Sequence, residues 1–310
     1  MTSSISLFIN KFSESRTNFR TLFFHFTINN KPPIMKQLKQ FLPIIIFSVT
    51  LLNSCKSNDK KKEPDMKEPK LKEEIVSYQF DSSTRNNFVV YDENIEGKRP
   101  AVLVIHEWWG LNDYTKMRAR ELAKLGYIAM AVDMYGDGKI GNDPAEAEKL
   151  ATPFYMNPAS AKPIFEAALE KLKGFSQTDA SKLAAIGYCF GGAQVLNLAK
   201  MGEDLKGVVS FHGNLTVVPA NKDLLKAQVL VCHGAADPFV PQTEVDLFKK
   251  QMDSIGATYT FKAYEGATHA FTNPAATAMG EKFKIPVKYN AAADTASWND
   301  MKVFFSAIFK

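Results

Sequence analysis

The hexapeptide Gly187-Tyr188-Cys189-Phe190-Gly191-Gly192 restricts the possible folds of this chain more than any other stretch. Before it runs Leu183-Ala184-Ala185-Ile186, an apolar segment of buried-strand length. After it, residues 193–200 have helix-forming composition. The pattern strand, G-x-C-x-G, helix is that of a sharp strand-to-helix turn, with cysteine at the apex where nucleophile elbows carry serine. Small neighbours are needed there because strand and helix approach closely. The N-terminus of the helix points free N–H groups at the apex and so favours a thiolate. The motif alone does not settle a role, since a buried cysteine is commonly a small apolar filler. An elbow also requires an acid and then a histidine further along the chain.

The remaining pattern supplies a sheet to hold such a turn. Residues 75–80 and 87–91 are β-rich and read as an opening hairpin. Ala101-Val102-Leu103-Val104-Ile105 is continuously apolar, as expected of a strand buried on both faces of a parallel sheet. Residues 113–125 read as a helix capped by Asp113 and stopped by Gly126. A strand over 127–132, helices over 144–152 and 159–174, and strands over 207–211 and 227–232 follow. A helix over 242–255, a strand over 258–264 and a final amphipathic helix over 291–309 complete the pattern. Strands alternate with helices throughout, which predicts an α/β fold: an open, mostly parallel central sheet with helices on both faces.

In such sheets functional groups gather at the carboxyl ends of strands. Glu107, Cys189, Asp237 and His269 all fall at or just beyond predicted strand ends. The order Cys189, Asp237, His269 is that of a nucleophile, an acid and a base on an α/β scaffold. A thiol needs a base to take its proton, and His269 can take it and later return it to a leaving group. Asp237 can fix the imidazole tautomer and stabilise its cation. The expected oxyanion donors are the backbone N–H groups of Phe190, just after the apex, and Trp108, in the loop after the 101–105 strand. Taken singly, Asp237 could open the turn before Pro238, and His269 could be a loop histidine; their joint order and placement favour the triad. His106, His212 and His233 read as lining or core groups. They lack the spacing of metal ligands on one helix and no cysteine pair accompanies them, so no metal site is expected.

The N-terminal region is of a different kind. Residues 35–40 form a short basic segment, and residues 41–52 are almost continuously apolar, too short to span a bilayer but suited to a signal-peptide core. The ending Leu52-Asn53-Ser54-Cys55 resembles a bacterial lipoprotein box, which implies a signal peptide over 35–54 and a lipid-bearing Cys55. Residues 1–34 precede that signal and are read as an upstream over-call of the reading frame from Met35. Residues 55–74 are Lys, Asp, Glu and Pro with little apolar content, and read as the lipidated cysteine and a solvated tether. The domain proper is then 75–310, a size and composition that suit one large globular unit. The net charge of +5 matches the excess of Lys11, Arg16, Arg20, Lys31, Lys36 and Lys39 over Glu14 in residues 1–55. The rest of the chain is balanced, so nothing supports a nucleic-acid partner. Of the three cysteines, Cys232 lies in the apolar run 229–232 and reads as core, which argues against a disulfide framework.

At Gly187–Gly192, at His233-Gly-x-x-Asp237, and at His106-Glu107-Trp108-Trp109-Gly110-Leu111, the chain resembles the dienelactone hydrolase family. Ala131-Val132-Asp133-Met134-Tyr135-Gly136 also fits. The resemblance implies a single α/β-hydrolase domain without a large cap. It further implies no cofactor, hydrolysis of an ester or lactone through a thiol acyl-enzyme, and a glutamate at 107 that contacts the nucleophile and regulates its ionisation. One feature departs from the family: arginines that hold a substrate carboxylate have no counterpart, since no arginine follows Arg120.

The expectation is therefore a carboxylic ester or lactone hydrolase, anchored in the membrane of a bacterial cell envelope through Cys55, acting on a small-molecule substrate. The alternative is a catalytically silent binding lipoprotein on the same fold. A redox role for Cys189 has less support, because no second thiol lies nearby in sequence to resolve a disulfide.

Overall fold

Burial on both faces of the central strands explains why 101–105 and 128–132 are unbroken apolar runs: each of these residues is fully buried. The computed structural model describes residues 68–310. The expected signal peptide, Cys55 and residues 1–67 as a whole lie outside the described residues. Eight strands form one sheet: β1 Leu71–Phe80, β2 Ser83–Asp92, β3 Arg99–Ile105, β4 Ile128–Val132, β5 Thr178–Tyr188, β6 Gly207–Phe211, β7 Gln228–Gly234 and β8 Tyr259–Tyr264. Their spatial order is β1-β2-β4-β3-β5-β6-β7-β8. β1 and β2 form an antiparallel hairpin, β2 lies antiparallel to β4, and every other pair is parallel.

The α-helices among the described residues are α1 Asp113–Lys124, α2 Pro144–Met156, α3 Ala161–Lys173, α4 Phe190–Lys200, α5 Gln242–Ser254, α6 Ala276–Phe283 and α7 Ala291–Ile308. Strand side chains alternate between two apolar layers, as a period of two requires. Leu103, Ile105, Met130, Ala185 and Val208 pack with Phe165, Leu169, Val195 and Phe248 of α3, α4 and α5. Val102, Val104, Ala129, Ala184 and Val209 pack with Ala119, Leu122, Met301 and Phe305 of α1 and α7. Helices thus cover both faces, and the expected fold class is the one observed.

Strand order fixes where a site can form. From β3 the chain moves outward to β4, then crosses back over β3 to β5 and continues in the other direction through β6, β7 and β8. The order reverses between β3 and β5, and in open α/β sheets the crevice outside the carboxyl ends at such a reversal is the usual ligand site. The loop starting at His106 and the turn at Cys189 both open there.

Three local expectations differ from the structure. β1 begins at Leu71, so the last four residues assigned to the tether belong to the sheet. Helix α1 is capped by Asn112, whose side chain accepts the Thr115 N–H; Asp113 is instead its first residue, where a carboxylate suits the helix dipole. Helix α6 was not anticipated, since its short run Ala-Thr-Ala-Met-Gly-Glu-Lys-Phe contains a glycine and only brief apolar spacing.

Candidate active site

Cys189 sits between β5 and α4 with φ 53° and ψ −114°, a strained backbone for a residue with a side chain. Close packing imposes that turn. A Cβ on Gly187 would lie 2.1 Å from the Gly191 carbonyl oxygen, and one on Gly191 would lie 2.3 Å from the Ile105 carbonyl oxygen. The Gly191 N–H donates to the His106 carbonyl at 3.0 Å, tying the elbow to the loop after β3. The Cys189 side chain is half-buried, whereas Cys232, on β7, is sealed in the core. Burial pushes the Cys232 thiol up to about 12, which leaves it unreactive.

Asp237 lies three residues beyond β7, in a turn closed by its own N–H donating to the Gly234 carbonyl. Both carboxylate oxygens are engaged: Oδ1 accepts the Phe239 N–H at 2.8 Å, and Oδ2 lies 2.8 Å from His269 Nδ1. His269 follows β8, in a loop pinned where the Lys288 N–H donates to its carbonyl. Burial works against a charge on its ring, but the neighbouring Cys189 sulfur and Asp237 carboxylate outweigh it and hold the imidazole well above its usual range. With Nδ1 committed to Asp237, Nε2 is the nitrogen free to exchange a proton with the sulfur. The structure therefore brings Cys189, His269 and Asp237 together at one rim of the sheet.

The two expected oxyanion donors are also free. Phe190 is the first residue of α4, and the first N–H of a helix has no intrahelical acceptor. Trp108 N–H has no acceptor among the described residues. Its peptide plane is fixed from the other side: the Glu107 carbonyl accepts from the Gly110 N–H at 3.2 Å and lies 2.5 Å from His106 Nδ1. Because N–H and C=O of one peptide point in opposite directions, those two bonds turn the Trp108 N–H outward. The following peptide is held by Tyr135, whose hydroxyl donates to the Trp108 carbonyl at 2.9 Å. His106, expected only to line or fill the core, thus orients this loop. Burial lowers its ring to about 4, so it stays neutral with Nδ1 as donor.

Glu107 is fully buried; its Oε2 accepts from Asn273 Nδ2 at 2.7 Å, and Oε1 has no hydrogen-bond partner among the described residues. Burial raises its carboxyl to about 7, with the Asn273 bond and the His269 and Arg118 charges pulling the other way. Arg118 is committed elsewhere, to Glu121, to Asp294 and to the Thr272 carbonyl. Asn273 carried no readable signal in the sequence, because its partner lies on β3's loop, far away along the chain.

The walls around the sulfur are aromatic. Tyr135 and Tyr155 both lie close enough to Cys189 for its charge to raise their hydroxyls further, after burial has done most of the work. Both rings pack on Phe190, at 5.5 and 6.0 Å between centroids, and Phe239 stands edge-on to His269 at 5.0 Å. His233 packs against Phe261, and His212 bonds the backbone of the elbow.

The dienelactone hydrolase family model matches residues 87–309. The chain is 32% identical over 179 residues to protein usf of Aquifex pyrophilus, which covers 56% of this chain and 77% of that protein. Among solved structures, it is similar to the dienelactone hydrolase-like promiscuous phosphotriesterase P91 from metagenomic libraries. The identity there is 35% and the TM-score 0.72, covering 77% of this chain and 98% of that one. A second structure, m3DLH, is 34% identical with a TM-score of 0.72, covering 77% and 99%.

Proposed function

This chain belongs to the dienelactone hydrolase family, and from that premise we propose that it hydrolyses carboxylic esters or lactones through Cys189, His269 and Asp237, tethered to the bacterial cell envelope by lipid on Cys55. The observation that carries the catalytic part is the bond from His269 Nδ1 to Asp237 Oδ2, at 2.8 Å, beside a strained cysteine at the turn into α4.

The proposed steps give each of these residues a task. His269 Nε2 takes the thiol proton, and the Asp237 carboxylate stabilises the resulting cation. The thiolate attacks the acyl carbon, forming a C–S bond while the carbonyl π pair moves onto oxygen. That oxyanion rests on the Phe190 and Trp108 N–H groups. Collapse breaks the C–O bond, and the departing alkoxide takes the proton from His269. Water then enters, His269 removes its proton, and attack on the thioester gives a second oxyanion. Its collapse releases the acid and returns the thiolate, which the imidazolium reprotonates. Thiolate leaves a tetrahedral intermediate more readily than an unprotonated amine, so esters, lactones and thioesters are favoured over amides.

The substrate is expected to be neutral near the scissile bond. Arg118, the arginine beside Glu107, is already paired with two carboxylates. The anchor rests on residues 35–55 of the sequence; no helix among the described residues is long and apolar enough to cross a membrane.

A chromogenic short-chain ester assayed with and without iodoacetamide tests the catalytic part. The expected result is turnover that alkylation and Cys189→Ala both abolish. Binding of the ester without turnover would instead select a silent binding protein. Turnover that survives Cys189→Ala would remove this nucleophile. The relative described as a phosphotriesterase makes an aryl phosphotriester a useful second substrate in the same panel.

A further inference from the structure

His212 is a buried titratable group that the mechanism above leaves without a task. It follows β6, is 1% exposed and has φ 42°, so two strained residues, 189 and 212, stand side by side on neighbouring strand ends. Its ring joins them. The Cys189 backbone N–H donates to His212 Nδ1 at 3.1 Å as well as to the Phe211 carbonyl at 3.0 Å. His212 Nε2 lies 2.7 Å from Thr272 Oγ1, and Thr272 Oγ1 lies 2.6 Å from the Tyr114 hydroxyl.

These contacts fix the tautomer. An N–H can donate only to an unprotonated nitrogen, so Nδ1 carries the lone pair, and the proton sits on Nε2, donating to Thr272. Thr272 belongs to the same loop as His269, three residues on. One imidazole therefore bonds the backbone of the elbow on one side and the loop of the base on the other. The His269 ring is 5.2 Å away edge to face, and Phe271 closes the same side at 5.3 Å. Next to it, a Cβ on Gly213 would lie 2.5 Å from the Ala193 nitrogen, so the chain after His212 is pressed against α4 and cannot drift.

We propose that His212 is a positioning residue: its neutral ring clamps the strained Cys189 turn to the His269 loop and so sets the sulfur–imidazole geometry. This rests on the reading of Cys189 and His269 as nucleophile and base. Strained backbone persists only where the surroundings over-determine it, and the second acceptor on the Cys189 N–H is one such constraint. A cationic ring would lose that acceptor. The charged and titratable groups around it are His269, Arg118, His233, Cys189, Tyr114 and Tyr188. Burial first, then the His269 and Arg118 charges, hold the ring well below its ordinary range, so it stays neutral wherever the enzyme would work.

The test compares His212→Phe, which fills the space without nitrogens, with His212→Asn, whose amide oxygen can accept in place of Nδ1 but whose shorter side chain gives up the bond to Thr272. Thr272→Val and Thr272→Ser form a parallel pair. Three quantities are read on the full chain: kcat and KM for a chromogenic acetate ester, the thermal midpoint, and the rate of iodoacetamide labelling of the Cys189 peptide from pH 5 to 9. The labelling reports the thiol–imidazole pair without turnover. His212→Phe should lower kcat about 10–100-fold with KM within about threefold, and should displace the labelling profile along the pH axis. His212→Asn should recover part of both, falling no further than Thr272→Val. Thr272→Val should lower kcat about 3–10-fold, with Thr272→Ser restoring it. A folded His212→Phe with kcat within about twofold of the parent and an unmoved profile would overturn the clamp, as would an Asn variant no better than Phe. If His212→Phe does not fold, a Thr272→Val variant equal to the parent overturns it equally well. Turnover that persists in Cys189→Ala would instead mean that the underlying assignment, rather than the clamp, had failed.

Discussion

Asp237 spends one oxygen on the Phe239 N–H and the other on His269 Nδ1, so the carboxylate cannot rotate without losing both bonds. Asp237→Asn keeps the shape but can present an amide N–H to Nδ1, which then favours the wrong tautomer. The expected effect is a fall in kcat of about 10²–10⁴ with KM little changed, measured by steady-state ester hydrolysis. Glu107 gives a prediction about stability. Its folded carboxyl is raised from 4.5 to about 7 because burial penalises the charge. A raised acid stabilises the fold fully below its unfolded value, and that contribution is lost as pH climbs through the folded value. The parent protein should therefore lose on the order of 1–3 kcal/mol between about pH 4.5 and 7.5 that Glu107→Gln does not lose. Thermal midpoints of both proteins across that range check it; parallel curves would contradict the burial argument. Of the candidate site, Cys189, Asp237, His269, Phe190 and Trp108 were legible because each falls just beyond a strand end. Asn273, Thr272 and His212 were not, since their bonds depend on where three separate loops fall.

The elbow shows what an element needs from its glycines. A methyl at Gly191 would meet the Ile105 carbonyl at 2.3 Å, and that neighbour is backbone in the centre of the sheet, unable to retreat. Gly191→Ala should destabilise by about 1–3 kcal/mol or more and lower the thermal midpoint by several degrees, with activity falling too, because the β3 loop carrying the Trp108 N–H must shift. A variant as stable and active as the parent would show that the turn has slack. Strands were easy to read where both faces are buried, because composition alone then marks them: β3, β4 and β6 lie within two residues of expectation. Edges were harder. β1 alternates between half-buried and exposed residues, and its first four, Leu71-Lys72-Glu73-Glu74, look like tether because their charges face water. α6 is too short and too mixed to show a helical period, and it exists because the loop beyond Asn273 packs it near Trp109, whose ring stacks on Phe283 at 5.8 Å.

For the whole molecule, the reversal of strand order between β3 and β5 decides where chemistry can occur, and the loops of β3, β5, β7 and β8 deliver the proposed residues to that rim. The general architecture followed from alternation in the sequence. The resemblance to one family, carried by a few short motifs, is upheld by a family match over residues 87–309. The proposed anchor predicts a further outcome: the parent chain should fractionate with membranes and Cys55→Ser should not, while the ester hydrolysis of the two stays equal within about twofold, since a lipid anchor adds membrane affinity and no catalytic group. The most direct measurement is rapid-quench mass spectrometry of the protein mixed with a chromogenic acetate ester, followed by peptide mapping. An acetyl group should appear on Cys189 before steady state, decay at the rate of turnover, and accumulate in His269→Asn if acylation still proceeds there. Acetyl on any other residue in the productive time window, or full turnover with none on Cys189, would contradict the thiol acyl-enzyme.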